Sequence, residues 1–192
     1  MIQYLLIISA STLFGVQHSG VSSLRVKSWI IDKYGKQGYG RIFSVSSIIT
    51  FLLAFFSMNF WNWLYFLSPL NPWQILLLGS GIVLGIIGVF VSMKASAVIS
   101  VSTVADMRTD RKAELVTDGI YARVRHPLYL ATVLVFAAMA LIYPFPVVIV
   151  FALSMIAYTM IGAFFEERKL IIHYGDEYLA YKKQAGFIFP RF

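Results

Sequence analysis

Two arginines, a histidine and two tyrosines gather in Asp118-Gly119-Ile120-Tyr121-Ala122-Arg123-Val124-Arg125-His126-Pro127-Leu128-Tyr129, where an uncharged stretch begins. Proline suits the first turn of a helix, because the N–H it lacks would have no partner there. A helix N-terminus carries partial positive charge and free N–H groups. With Arg123, Arg125 and His126 beside it, such an end makes a pocket for a carboxylate or phosphate. Further along, Glu166 and Glu167 supply the opposite need, for an ammonium or for paired ribose hydroxyls. Tyr121 and Tyr129 add ring faces suited to a nearby cation. A ligand with a carboxylate, an ammonium, a ribose and a sulfonium uses all of these features, and S-adenosylmethionine is that ligand. A plainer reading stands beside it, in which Arg and Glu at helix ends are interfacial anchors that pair with each other.

The two halves of this constellation meet only if the chain between them folds back. Tyr143-Pro144-Phe145-Pro146 is the expected turn; from Phe145, His126 lies 19 residues back and Glu167 22 residues forward. At 1.5 Å of rise per residue both sit roughly 30 Å from the turn, so an antiparallel hairpin brings the cationic and acidic groups together.

Composition sets the medium. Of 192 residues 59% are hydrophobic and 13% charged, more apolar surface than a soluble domain of this size can hide. Every charged side chain falls within residues 25–41, 94–125 or 166–191, and the stretches 1–20, 42–93 and 127–165 carry none. The two longer stretches far exceed the ~20 residues of one crossing, so each reads as a helical hairpin. Ser68-Pro69-Leu70-Asn71-Pro72 breaks one of them and Pro144-Phe145-Pro146 the other. The expected fold is therefore all-α and polytopic, with about five crossings near 1–18, 43–67, 73–94, 127–143 and 147–170. It reads as one integral membrane domain over 1–192, with a variable half at 1–112 and a cofactor-binding core at 113–192.

The charged windows carry +4, +2 and +1, which by the positive-inside rule places them in the cytoplasm with the N-terminus outside. The pI near 9.7 is thus a topology signal; the cations follow one membrane face, and no nucleic-acid motif accompanies them. A signal peptide is not expected, since Arg25, Lys27, Lys33 and Lys36 follow the first apolar run instead of preceding it. The chain has no cysteine, which removes disulfides, thiolate metal sites and a thiol nucleophile, and no metal is expected.

The remaining segments admit two readings each. Gln17-His18-Ser19-Gly20 is either interface chemistry at the end of a crossing or a contribution of His18 to the substrate site. Basic residues alternating with Val26, Trp29, Ile30, Ile31 and Tyr34 point to a short amphipathic helix on the inner leaflet, or to part of a lid. Trp61, Trp63, Tyr65 and Trp73 read as an aromatic belt around the outer turn. Gly79, Gly81, Gly85 and Gly88 let helix backbones approach closely, or line a groove. The 94–126 connection is long enough to be functional. Near the C-terminal end Gly175 stops a helix and Asp176 starts another; Tyr174, Tyr178 and Tyr181 recur at spacings of four and three, near one face that rests on the membrane or roofs the site.

Leu115-Val116-Thr117-Asp118-Gly119-Ile120-Tyr121, then Arg125-His126-Pro127-Leu128-Tyr129, resembles the signature of the isoprenylcysteine carboxyl methyltransferase and phospholipid methyltransferase superfamily. So does Glu166-Glu167, followed by Leu170, Tyr174-Gly175-Asp176-Glu177-Tyr178, Tyr181 and Pro190. The likeness covers roughly residues 113–192 in order and spacing, and the length and five-helix plan are close to those of small prokaryotic members. The resemblance implies an S-adenosylmethionine site, leaving S-adenosylhomocysteine as product, built from Leu115, Tyr121, Arg125, His126, Pro127, Tyr129, Glu166, Glu167, Tyr178 and Tyr181. It implies catalytic roles for Glu167, Arg125 and Arg123, and acceptor contacts from Arg123, Arg191 and His18. A lipophilic acceptor drawn from the bilayer is the implied partner, above all the carboxylate of a C-terminal prenylcysteine. A carboxylate is already ionised at neutral pH, whereas a phospholipid amine or small thiol would need a base, for which Glu167 and His126 are the candidates.

Two other classes share features with the chain. Sterol-type reductases using NADPH resemble it around Arg125-His126-Pro127 and the tyrosine-rich tail, but need a larger helical body. A transporter or scaffold would place polar groups near the bilayer midplane, where this sequence offers only Ser, Thr, Asn and Gln.

Overall fold

The computed structural model describes residues 1–98 and 115–191. Among the described residues there are six α-helices, α1 (Ile2–Ser22), α2 (Leu24–Phe56), α3 (Pro72–Val98), α4 (Pro127–Ile142), α5 (Pro146–Tyr174) and α6 (Asp176–Gln184). Among the described residues no strand forms, and Val124 and Gly186 make an isolated parallel bridge. Helices α1, α2, α3 and α5 are long and apolar enough to cross a membrane, so the chain is an all-α polytopic membrane protein. The charged stretch 99–114, and with it the expected boundary between 112 and 113, lies outside the described residues.

The fourth expected crossing is α4, whose 16 residues form a shorter apolar helix. It rises roughly 24 Å, less than the ~30 Å hydrocarbon core. Its charged end can stop short of the lipid headgroups because protein covers it. The Arg125 and His126 N–H groups donate to the Gly186 and Phe187 carbonyls at 2.8 and 3.1 Å.

The second crossing departs further from expectation. Helix α2 starts at Leu24 and includes the basic amphipathic stretch, with a break at Gly35 (φ 71°), where glycine takes a positive φ that a Cβ would resist. It ends at Phe56, well before residue 67. The Met58 and Asn59 N–H groups bond three residues back, to Phe55 and Phe56, and Asn59 then turns left-handed at φ 46°. A short 3-10 turn at Tyr65–Leu67 follows. Asn71 and Gln74 exchange side-chain-to-backbone hydrogen bonds of 2.9 and 3.0 Å, a reciprocal cap that starts α3 behind Pro72.

The helices stand side by side in the order α2, α1, α5, α4, α3. Small residues set the closest spacings. A Cβ on Gly81 would press into Ile142 and the Ala138 carbonyl, and one on Gly88 against Leu134, Val135 and the Ala131 carbonyl. Gly81, Gly85 and Gly88 are thus packing glycines against α4, while Gly79 faces open space. On the other side, Gly15 of α1 leaves the room that the Tyr158 ring of α5 occupies.

The core between α1, α2 and α5 is Ile7, Ala54, Met58, Val148, Phe151 and Met155. Around the proline turn the expected aromatic belt divides. Trp61 and Trp73 stay exposed, whereas Trp63 joins Phe55, Phe60 and Tyr143, and the buried Tyr65 donates its hydroxyl to the Ile142 carbonyl at 2.5 Å. A tyrosine in reach of a helix's last carbonyls satisfies one of them, so this turn holds the α4–α5 hairpin by hydrogen bonding as well as by apolar contact.

Candidate active site

The hairpin brings its two charged ends together. Arg125, just before α4, donates from Nε to Oε1 of Glu167 on α5 at 2.6 Å, with both side chains about a tenth exposed. The same guanidinium donates to the Lys182 carbonyl at 3.2 Å and to the Ala185 carbonyl, the free acceptors at the end of α6. Lys182 Nζ reaches Oε2 of Glu167 at 2.9 Å, and the Tyr178 hydroxyl donates to Oε1 at 3.3 Å. Glu167 is therefore the common acceptor of two cations and a phenol. Sequence reasoning missed Lys182, although it lies four residues after Tyr178 and so on the same face of α6.

The C-terminal segment holds this cluster closed. Gly175 (φ 60°) breaks the helix as expected and turns α6 back over the 115–126 segment. Tyr174, Tyr178 and Tyr181 all point inward, with Leu115 packed against them, which is the roofing alternative. The Tyr181 hydroxyl donates to the Tyr121 carbonyl at 2.6 Å. Burial pushes the Tyr181 phenol up to about 12 and raises Tyr178 as well, so both act as neutral donors. Gly186 donates to the Arg123 carbonyl at 2.9 Å, and a Cβ there would collide with the Phe189 carbonyl oxygen.

His126 and Pro127 are buried inside this assembly. Burial lowers the His126 imidazole from its ordinary 6.5 to about 4, against the pull of Glu167. Its Nε2 is 3.7 Å from Glu167 Oε1, beyond hydrogen-bond reach, and has no hydrogen-bond partner among the described residues. A neutral His126 adds no positive charge, so the expected cationic pole at the start of α4 is Arg125, already joined to its carboxylate. Arg123 and Arg191 stay on the exposed rim, where Arg191 donates to the Lys183 carbonyl at 2.8 Å.

Glu166 parts company with Glu167. Neighbouring helix residues point about 100° apart, so the two carboxylates face different sides of α5. Glu166 lines a cavity of about 720 Å³ between α1, α2, α4 and α5. Its walls include Phe14, Phe51, Phe136, Met155 and Phe165, with Tyr129, Tyr158 and His18 among them and Arg168 and Lys169 at the charged end. That volume lies within the roughly 300–1,000 Å³ of small-molecule sites. Lys169 approaches Glu166 at 3.7 Å across an exposed rim. Of the anticipated site residues, His18, Tyr129 and Glu166 reach this cavity, while Arg125, His126, Glu167, Tyr178 and Tyr181 form the closed cluster behind it.

His18 joins the cavity through a polar seam between α1 and α2. Gln17 donates to Ser46 at 2.6 Å and accepts from Thr50 at 3.0 Å, and His18 Nδ1 lies 3.1 Å from Ser47 Oγ.

Three proteins of known activity are similar along almost the whole chain. The methanethiol S-methyltransferase of Pseudomonas deceptionensis is 28% identical, over 93% of this chain and 70% of its own length. A second Pseudomonas methanethiol S-methyltransferase is 26% identical, over 94% of this chain and 70% of its length. Methanethiol S-methyltransferase 1 of Bradyrhizobium diazoefficiens is 27% identical, over 93% and 64%. No solved structure matches the chain. The pattern of the phospholipid methyltransferase family spans residues 75–177, taking in α3, α4, α5 and both halves of the charged cluster. With a membrane-embedded hairpin carrying those halves into contact, the chain belongs to the phospholipid methyltransferase family.

Proposed function

We infer that the protein is an S-adenosylmethionine-dependent membrane methyltransferase whose acceptor is a small thiol. One observation carries the reading: the 720 Å³ cavity sets a carboxylate and two cations at one end of an aromatic, apolar chamber. The residues there fit the donor. Glu166 suits its ammonium or ribose hydroxyls, Lys169 and Arg168 suit its carboxylate, and the Tyr129 and Tyr158 rings suit a sulfonium. S-adenosylmethionine supplies an electrophilic methyl group when bound. The chain's own part is to orient the partners and exclude water from a chamber walled by Phe14, Phe51 and Phe136, an alignment effect of up to roughly 7–11 kcal/mol. The Arg125–Glu167–Lys182 cluster acts as a brace that fixes the start of α4 and therefore Tyr129. By the charge distribution, the charged ends face the cytoplasm. The thiol is favoured as acceptor by the relatives, each of which is a methanethiol S-methyltransferase.

A second reading keeps a lipophilic carboxylate, such as a prenylcysteine, as the acceptor. Its support is a second groove of about 420 Å³ between α1 and α5, lined by Ile8, Val16 and Ile161 and sharing Ser19, Tyr158 and Phe165 with the main cavity. The deciding assay supplies tritiated methyl donor to the protein in nanodiscs, with ethanethiol, phosphatidylethanolamine or a farnesylcysteine as acceptor. The thiol reading expects label in ethyl methyl sulfide. Label only in the farnesylcysteine ester or the lipid amine refutes it, and no shift in melting temperature with S-adenosylhomocysteine refutes the donor.

A further inference from the structure

A thiol acceptor poses a problem that the closed cluster does not solve. A thiol is mostly protonated at neutral pH, and its thiolate is the nucleophile. Glu167 is engaged by Arg125, Lys182 and Tyr178, His126 is buried, and neither of these candidate bases named from sequence lines the cavity. The candidates that do line it are Glu166, Tyr129, Tyr158 and His18. Glu166 is turned toward Lys169 at 3.7 Å, and a carboxylate is a weak base for a thiol. A neutral tyrosine is a donor rather than a base. That leaves the His18 imidazole, whose neutral form has a ring nitrogen lone pair free to take a proton.

The surroundings of His18 suit that task. Its ring is boxed by Phe14 and Phe43, with centroids 5.4 and 4.7 Å away, and meets the Tyr158 ring edge-on at 6.3 Å. Gln17, on the same turn of α1, is pinned to Ser46 and Thr50, which holds the α1 backbone in register with α2. With the proton on Nδ1, the ring donates to Ser47 Oγ at 3.1 Å. Nε2 then carries the lone pair and has no hydrogen-bond partner among the described residues.

We propose that His18 is the general base for the thiol acceptor, with Ser47 as the positioning residue that selects its tautomer. This rests on the thiol reading above. The S–H bond breaks as its proton passes to His18 Nε2, and the sulfur forms a new bond to the transferred methyl carbon. The methyl–sulfonium bond breaks, its electron pair returns to the donor sulfur, and His18 later releases the proton to water. The ring's half-buried place among phenyl groups keeps the imidazole close to the acceptor while Ser47 prevents it from turning over.

The test is His18→Gln, an amide of similar reach that can still meet Ser47 but cannot accept the proton. Ethanethiol is compared with a nitrothiophenol that is ionised at neutral pH. The proposal expects a loss of about 10²-fold or more in kcat/KM for ethanethiol, with little loss for the nitrothiophenol. Ser47→Ala should show a smaller loss with the same selectivity. Equal losses for both thiols, or no loss for either, overturn the proposal. Wild-type protein that methylates neither thiol overturns the thiol reading itself, so the two failures are distinguishable. Readouts independent of turnover are S-adenosylhomocysteine binding by His18→Gln, expected at wild-type affinity, and the ring carbon-13 signals of the three histidines. Added ethanethiol should move the His18 signal and leave those of His126 and His173 in place. A His18 signal that ignores the thiol counts against the proposal.

Discussion

Glu166 and Glu167 are adjacent, chemically identical and on one helix, yet the structure assigns them opposite consequences. Removing the charge of Glu167 by Glu167→Gln leaves Arg125 buried at 8% side-chain exposure without its counter-charge, and also unpairs Lys182. Breaking one partner of a buried pair costs about 3–5 kcal/mol, because the remaining ion cannot recover its hydration. The partly exposed Lys182 arm adds little. Taking about 3 kcal/mol and a chain of this size, the melting temperature in detergent should fall by roughly 6–12 °C. Glu166→Gln breaks only a 3.7 Å contact with a half-exposed lysine, and should shift melting by no more than roughly 2–4 °C. The cavity places the binding effect the other way round: Glu166→Gln should weaken S-adenosylhomocysteine affinity by about 10-fold or more, the value of one charge-assisted hydrogen bond. The assay is a thermal melt of each variant with and without S-adenosylhomocysteine, plus direct titration. If Glu167→Gln melts with the wild type while losing ligand binding, the brace is instead a ligand site and the reasoning fails.

Two further outcomes follow from the same geometry. Gly186→Ala should destabilise the C-terminal clamp by about 1–3 kcal/mol or more, since the new methyl collides with the Phe189 carbonyl and backbone must move; limited proteolysis should then release the segment after α6, and an unchanged digestion pattern counts against it. The buried His126, at about 4 in the folded chain against 6.5 when free, makes the unfolded state the one that takes up a proton first. Stability is therefore full above 6.5 and declines as pH falls toward 4, by about 2 kcal/mol between about pH 8 and pH 5. Melting curves across that range, with His126→Asn flattening the lower part, check the sign and size.

Much of the hairpin logic was legible in advance because it depends on local rules. Charge distribution, prolines at 127 and 146 and a constant rise per residue place Arg125 and Glu167 at one level, and they meet at 2.6 Å. Gly175 as a helix stop and the shared tyrosine face beyond it obey equally local rules, whereas the inward direction of that face came only with the structure. What could not be read was direction. The sequence shows two carboxylates at one helix end, but only the docking of α6 decides that Glu167 faces Lys182 while Glu166 faces the cavity. The end of α2 at Phe56 was likewise hidden, because an uncharged aromatic run looks the same whether it continues through lipid or folds over the α4–α5 turn.

By itself, then, the chain's order of apolar and charged residues determines an all-α membrane protein with a charged constellation at the mouth of a hairpin. Lipid and water impose that separation on any sequence with this pattern. The tertiary structure alone decided that the constellation is two sites: a closed ionic brace and, behind α5, an open aromatic chamber reached by His18 from a helix more than a hundred residues away in sequence. Side-chain chemistry is local, but which face meets which partner depends on helix rotation and spacing. Those are set by contacts such as Gly15 with Tyr158 and Gly81 with Ile142.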